Sequence, residues 1–197
     1  MRCAAPLALA LLGACAAGAG ESGYYGAVRA GAWAAIADAG GGARLRAGGE
    51  IAIGRAVGRR LGAELSLGLA RSRGTFRVAA DAQGSPPLAT ARLDADVIPL
   101  VASLRLSQPL SAAEVWLLAG GGGFRVEASS PPAGMPAEER RPRTQLGAQL
   151  GAGALYRFSD DLSASLEGRW FRTVPSWTGA SGPVESVGLL LGLGFRF

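Results

Sequence analysis

The stretch from Thr144 to Phe158 reads TQLGAQLGAGALYRF. Leu146, Ala148, Leu150, Ala152, Ala154, Tyr156 and Phe158 share one face of an extended chain. Gln145, Gly147, Gln149, Gly151, Gly153 and Arg157 share the other, with Leu155 the exception. Side chains of a strand point alternately to opposite faces, so this period of two predicts a strand and excludes an amphipathic helix. One face is apolar, and the other is mostly glycine and glutamine rather than the charged face of a soluble sheet. Glycine is a poor strand residue in water, but alternating glycine on one face fits a crowded interior.

The same pattern extends in both directions. Leu162, Ala164, Leu166 and Trp170 alternate with Ser163, Ser165, Glu167 and Arg169. In LGAELSLGL, Leu61, Ala63, Leu65, Leu67 and Leu69 oppose Gly62, Glu64, Ser66 and Gly68. The chain ends in GLLLGLGFRF, with Leu189, Leu191, Leu193, Phe195 and Phe197 on one file and Leu190, Gly192, Gly194 and Arg196 on the other. RAVGRRL (55–61), LRLSQPL (104–110) and YRFSDDL (156–162) each read as apolar residue, three turn-type residues, leucine. These predict three tight strand connections. Between them lie longer polar segments at Asp38–Ala43, Arg77–Thr90, Ser129–Arg143 and Val174–Val184. Strict alternation of short turns and long loops predicts eight antiparallel strands over 23–36, 44–57, 61–76, 91–106, 112–128, 144–158, 162–173 and 185–197. A tilted strand crosses a bilayer with about 9–11 residues, so each of these is long enough. Pro99, which cannot donate to a ladder, predicts a local bulge. In Glu114–Phe124 both faces are apolar. If Leu110 faces the same side as Leu61 and Leu162, then Trp116, Leu118 and Phe124 face outward too.

The first twenty residues, MRCAAPLALALLGACAAGAG, read as a secretory signal: Arg2 begins it, Cys3–Ala14 is apolar, and Ala17-Gly18-Ala19 offers a cleavage site. The alternative is a lipoprotein signal in which Leu12-Gly13-Ala14 precedes an acylated Cys15. The expected organisation is a signal over 1–19 and one barrel domain over 20–197. Neither reading leaves two cysteines to pair, so no disulfide framework is expected. Apolar residues make up 49% of the chain and charged residues 18%, which excludes whole-chain disorder. The net charge is +5 and every cationic side chain is arginine. These arginines are dispersed, with no basic helix or aromatic-basic groove, so no nucleic-acid partner is expected.

Periodicity alone does not say which face of a barrel is wet. Three features place the apolar face outside. The opposite face is small rather than charged. Its charges come in both signs at strand-interior positions: Arg29, Glu50, Glu64, Arg105, Glu167, Arg169 and Arg196. Aromatics lie near strand ends on the apolar face, at Tyr24, Tyr156, Phe158, Trp170 and Phe197, where interfacial girdles sit. On these residues the sequence, over 23–197, resembles the small eight-stranded outer-membrane barrels, the OmpA/OmpX and OmpW-like group. The resemblance implies an all-β, closed, up-and-down transmembrane barrel with short periplasmic turns and longer outer loops. Gly192, Phe195 and Phe197 match the C-terminal assembly signal of that class, although Leu190 stands where a polar residue is frequent. The resemblance therefore implies recognition by the barrel assembly machinery, contact with outer-membrane lipids and lipopolysaccharide, and a monomer.

Outer-membrane barrel enzymes of the resembling families use histidine as base, and this chain has none. Their Ser-His and Asp-His routes are closed. The DAD stretch, Asp94 and Asp96, leaves a carboxylate-only route, against which stands an ordinary solvated pair. Gly120–Gly123 lacks the Lys-Ser/Thr that a phosphate-binding loop needs. Asp160 and Asp161 are turn formers. No cofactor or metal is expected. The seven strand-interior charges are expected to form an internal salt-bridge network that fills an eight-stranded lumen; a small-solute or hydrophobic-compound pore is the alternative. Arg71, Arg73 and Arg77, with Arg140, Arg141 and Arg143, are expected to contact lipopolysaccharide phosphates. The expected role is structural or surface-interacting and non-enzymatic. A soluble periplasmic ligand-binding barrel is the rival of another class, and it would require the leucines to point inward.

Overall fold

The computed structural model describes residues 23–36, 45–57, 60–79, 88–129, 131, 141–174 and 182–197. The eight strands are β1 (Tyr24–Ala35), β2 (Arg46–Ala56), β3 (Leu61–Ala79), β4 (Leu88–Leu110), β5 (Ala113–Ala128), β6 (Arg143–Arg157), β7 (Leu162–Thr173) and β8 (Glu185–Arg196). Each pairs antiparallel with its sequence neighbour, and β8 closes on β1. The seam runs from Tyr25 opposite Arg196 to Ala35 opposite Ser186. Closure removes the sheet edges around the barrel wall. Phe197 completes the seam by donating its N–H to Tyr24 O and stacking its ring on Tyr24.

The leucine files of β3 through β8 face outward, and Val28 of β1 is exposed on the same side. Leu65, Leu104, Leu117, Leu150, Leu166 and Leu191 are all exposed around the middle of the cylinder. Tyr156 and Phe158 continue this face at the short-turn end. Trp170 does so at the long-loop end, where its indole N–H donates to Glu185. A continuous apolar belt around a closed barrel is the surface a bilayer covers.

Three local expectations are corrected. LRLSQPL is not a turn. Strand β4 continues through Ser107, Gln108 and Pro109, which pair with Trp116, Val115 and Glu114. The connection is Ser111-Ala112, with Ser111 at a positive φ of 51°, the left-handed backbone that tight hairpins require. This shift reverses the facing of β5. Leu110 pairs directly with Ala113, so both point outward and Glu114, Trp116, Leu118 and Phe124 point inward. At the other two turns, Val57 and Phe158 donate to the carbonyls of Leu61 and Leu162 across three intervening residues, so an even residue spacing is kept. An odd spacing flips the faces, and that overturns the outward placement of Trp116, Leu118 and Phe124.

Pro99 makes no bulge. The β3–β4 register is the same on both sides of it: Leu67 faces Leu100 and Ala70 faces Val97. Ser107 donates its N–H to Arg60 O on the β3 side, so by the strand period Pro99 would present its missing N–H toward Gly68. The ladder loses a rung there without inserting a residue. The absence of a side chain at Gly68 makes room for the proline ring, whose Cγ would lie 3.2 Å from a Cβ at that position.

Candidate functional site

The inward faces build three layers. In the middle, Arg29 of β1, Glu50 of β2, Glu64 of β3 and Glu167 and Arg169 of β7 converge from four strands. Arg29 Nη1 donates to Glu50 Oε1 at 2.5 Å and Arg29 Nη2 to Glu64 Oε2 at 2.8 Å. Arg169 meets Glu50 and Glu64, each at 3.0 Å, and also bonds Glu167. Arg29 Nε lies 3.1 Å from Glu167 Oε2 without hydrogen-bond alignment, so that contact is Coulombic. All five side chains are buried. Local alternation puts each residue on the inner face, and register brings them to one height: Arg29 is opposite Glu50 on β2 and Gly192 on β8. The absence of a side chain at Gly192 leaves room for the stem of Arg29.

Toward the long loops lies an apolar layer that periodicity does not announce. Trp33, Phe124 and Phe171 pack ring to ring, with centroids 5.4 Å and 5.3 Å apart. Phe76, Val97, Val101, Val184 and Leu190 surround them. Glycines make this possible. Trp33 lies across Gly48 and Gly188, Phe124 across Gly147, and a Cβ at any of the three would overlap the ring.

Toward the short turns, Arg105 stacks over the rings of Trp116 and Tyr25, 4.1 Å and 5.4 Å from their centroids. Its Nη2 donates to Glu114 at 2.8 Å, and Arg157 Nη2 donates to the other Glu114 oxygen at 2.6 Å. Tyr25 donates its hydroxyl to Glu64 at 3.0 Å, tying this layer to the middle one. These residues line a recess of about 330 Å³ that opens at the short-turn end and reaches Arg29.

Of the seven expected lumenal charges, Arg29, Glu50, Glu64, Glu167 and Arg169 form one cluster, while Arg105 pairs instead with Glu114. Arg196 is exposed on the recess rim. Glu114 and Arg157 belong to the lumenal set and were not among the expected seven; Arg157 had been visible on the inner face of β6. Gly192 faces Arg29, and Phe195 is exposed on the outer face. Among the six surface arginines, Arg71 reaches Asp96 at 3.1 Å and Arg73 reaches Asp94 at 3.5 Å. Asp94 also meets Arg46 at 2.5 Å. Asp94 and Asp96 are thus ion-paired groups at the long-loop end. Arg77 lies in β3 opposite Thr90. Arg141 is exposed, and Arg143 begins β6; Arg140 lies outside the described residues, as does the expected signal over 1–19 with Cys15.

Closed eight-stranded antiparallel topology and outward apolar files define a class: the chain has the fold of the small eight-stranded outer-membrane β-barrels. It is similar to the crystal structure of Neisserial surface protein A, with 15% identity, 89% of this chain and 98% of that chain covered, and a TM-score of 0.62. It is also similar to the N-terminal β-barrel domain of Pseudomonas aeruginosa OprF, with 12% identity, 90% and 100% coverage, and a TM-score of 0.53. No protein-family model and no curated protein matches the sequence.

Proposed function

We propose that the protein is an integral barrel of a bacterial outer membrane, with a structural or surface-interacting, non-enzymatic role and a lumen closed by its own side chains. The observation that carries the membrane reading is the direction of the leucines. From β3 through β8 the leucine files point outward, with Leu118, Leu155 and Leu190 turned inward, and Val28 of β1 is exposed on the same surface, opposite to what a soluble ligand-binding barrel needs. The closed-lumen reading is supported by two stacked layers, five ion-paired side chains beneath three packed aromatic rings. The pore reading draws on the open recess at the short-turn end, which reaches Arg29. Conduction through the barrel would require both layers to move aside. Single-channel recording of the purified protein in planar bilayers is expected to give no steady conductance; a steady ohmic current would overturn the closed lumen. The membrane reading is tested separately, by heat-modifiable gel mobility of the outer-membrane fraction.

The surface-interacting role rests on Arg71, Arg73, Arg77, Arg140, Arg141 and Arg143 meeting lipopolysaccharide phosphates. Phosphate would have to compete with Asp94 and Asp96 at Arg73 and Arg71, which arginine's forked donors permit. Replacing all six with glutamine is expected to reduce lipopolysaccharide co-purification severalfold. Unchanged co-purification would remove that contact from the reading. The match of Gly192, Phe195 and Phe197 to the assembly signal supports delivery by the barrel assembly machinery.

A further inference from the structure

We propose that the recess at the short-turn end is a binding site for a small oxyanion-bearing molecule, a phosphate or a carboxylate, held by Arg105 and Arg157. The recess goes beyond the closed-lumen reading, because it opens on one side only and needs no passage through the barrel.

The fork of Arg105 is fixed before any ligand arrives. Trp116 and Tyr25 stack on it, Ser107 accepts from its Nε at 3.2 Å, and Glu114 accepts from its Nη2. Its side chain also hydrogen-bonds that of Tyr25, and the guanidinium lines the recess. Among the described residues, Arg157 bonds Glu114 through its Nη2 alone. Two guanidiniums therefore share a single carboxylate whose two oxygens are both occupied. Among the described residues, the recess wall presents the remaining N–H donors of Arg157 beside the fixed charge of Arg105, and Glu114 is the sole carboxylate inside the rim. That arrangement selects an anionic oxygen and disfavours a cation. Asp160 and Asp161 stand farther out on the exposed turn, beside the rim cations Arg60 and Arg196, where water screens them.

Size and lining fit a small ligand. A volume of about 330 Å³ is at the lower end of the roughly 300–1,000 Å³ range of small-molecule sites. Trp116, Leu155 and Ala27 supply apolar wall, and Ser163 and Ser165 supply hydroxyls. Arg105 is held by rings on a rigid barrel wall rather than on a mobile loop, and such preorganisation lowers the ordering cost of binding.

The test uses the full-length mature protein folded in detergent, titrated with pyrophosphate in one arm and succinate in the other at constant ionic strength set with chloride. Heat of binding is the readout, with tryptophan fluorescence as a second. Saturable binding is expected in at least one arm, and the stronger arm identifies the oxyanion. Arg157→Gln is expected to weaken it at least tenfold, and Arg105→Lys, which keeps the charge and loses the fork, by a similar factor. Both variants should keep wild-type heat-modifiable mobility; Arg157 is partly exposed, so its variant preserves the test if Arg105→Lys folds poorly. No saturable binding in either arm, or binding unchanged by Arg157→Gln, overturns the site.

Discussion

Arg169→Ala is expected to destabilise the folded barrel by about 3–5 kcal/mol, the cost of breaking a buried ion pair from one side. Arg169 is fully buried and meets three carboxylates, Glu50, Glu64 and Glu167. Removing it leaves those three facing Arg29 alone, in a layer where they are almost wholly buried. The loss comes from stranded charge rather than lost volume, so Arg169→Met should cost about as much. Adding Glu50→Gln to Arg169→Met should recover part of it. Arg71→Ala removes a pair whose side chains are 47% and 35% exposed, and should cost no more than about 1 kcal/mol. Reversible urea unfolding in lipid measures all four variants. A loss below about 1 kcal/mol for Arg169→Ala would mean that the cluster is hydrated and its pairing incidental.

Those five charges were legible in the sequence because each sits in a strand whose own alternation assigns it to the inner face. Strand number, the β8–β1 closure and the outward leucines were legible for the same reason. Strand β5 was not. Its alternation is blurred by Gly120–Gly123 and by apolar residues on both faces, so its facing depended on the preceding turn. LRLSQPL imitates the other two turns in composition, yet the chain turns only at Ser111-Ala112. That one displacement concealed the inward Trp116 and Phe124, and with them the recess and the aromatic layer. Leu155 and Leu190, the exceptions to alternation, turn out to be informative: Leu155 lines the recess and Leu190 is fully buried beside the aromatic layer. The glycine-rich inner face was a readable hint of something bulky opposite it. Which aromatics lie over which glycines depends on register between strands, and single-strand periodicity does not carry that.

Leu191→Arg separates the membrane barrel from its soluble rival by magnitude. Leu191 is 67% exposed and lies midway along the outward file that runs from Val187 through Leu189, Leu191 and Leu193 to Phe195. On a soluble barrel, an arginine at so exposed a site would change stability by no more than about 0.5 kcal/mol. In a bilayer the same guanidinium sits near the midplane of the hydrocarbon, and the expected cost is about 2–4 kcal/mol. The penalty should also depend on depth. Phe195→Arg, at the short-turn end of the same file, lets its charge reach the interface, and should cost about 0–1 kcal/mol in charge burial. Reversible urea unfolding in lipid vesicles gives both values, with Leu191→Ala and Phe195→Ala subtracting the lost side chains. A cost that is large in the middle and small at the end requires a hydrocarbon slab around the barrel. A flat profile below about 0.5 kcal/mol is what water on that face would give, and it would remove the bilayer from the outer surface on which the membrane reading depends.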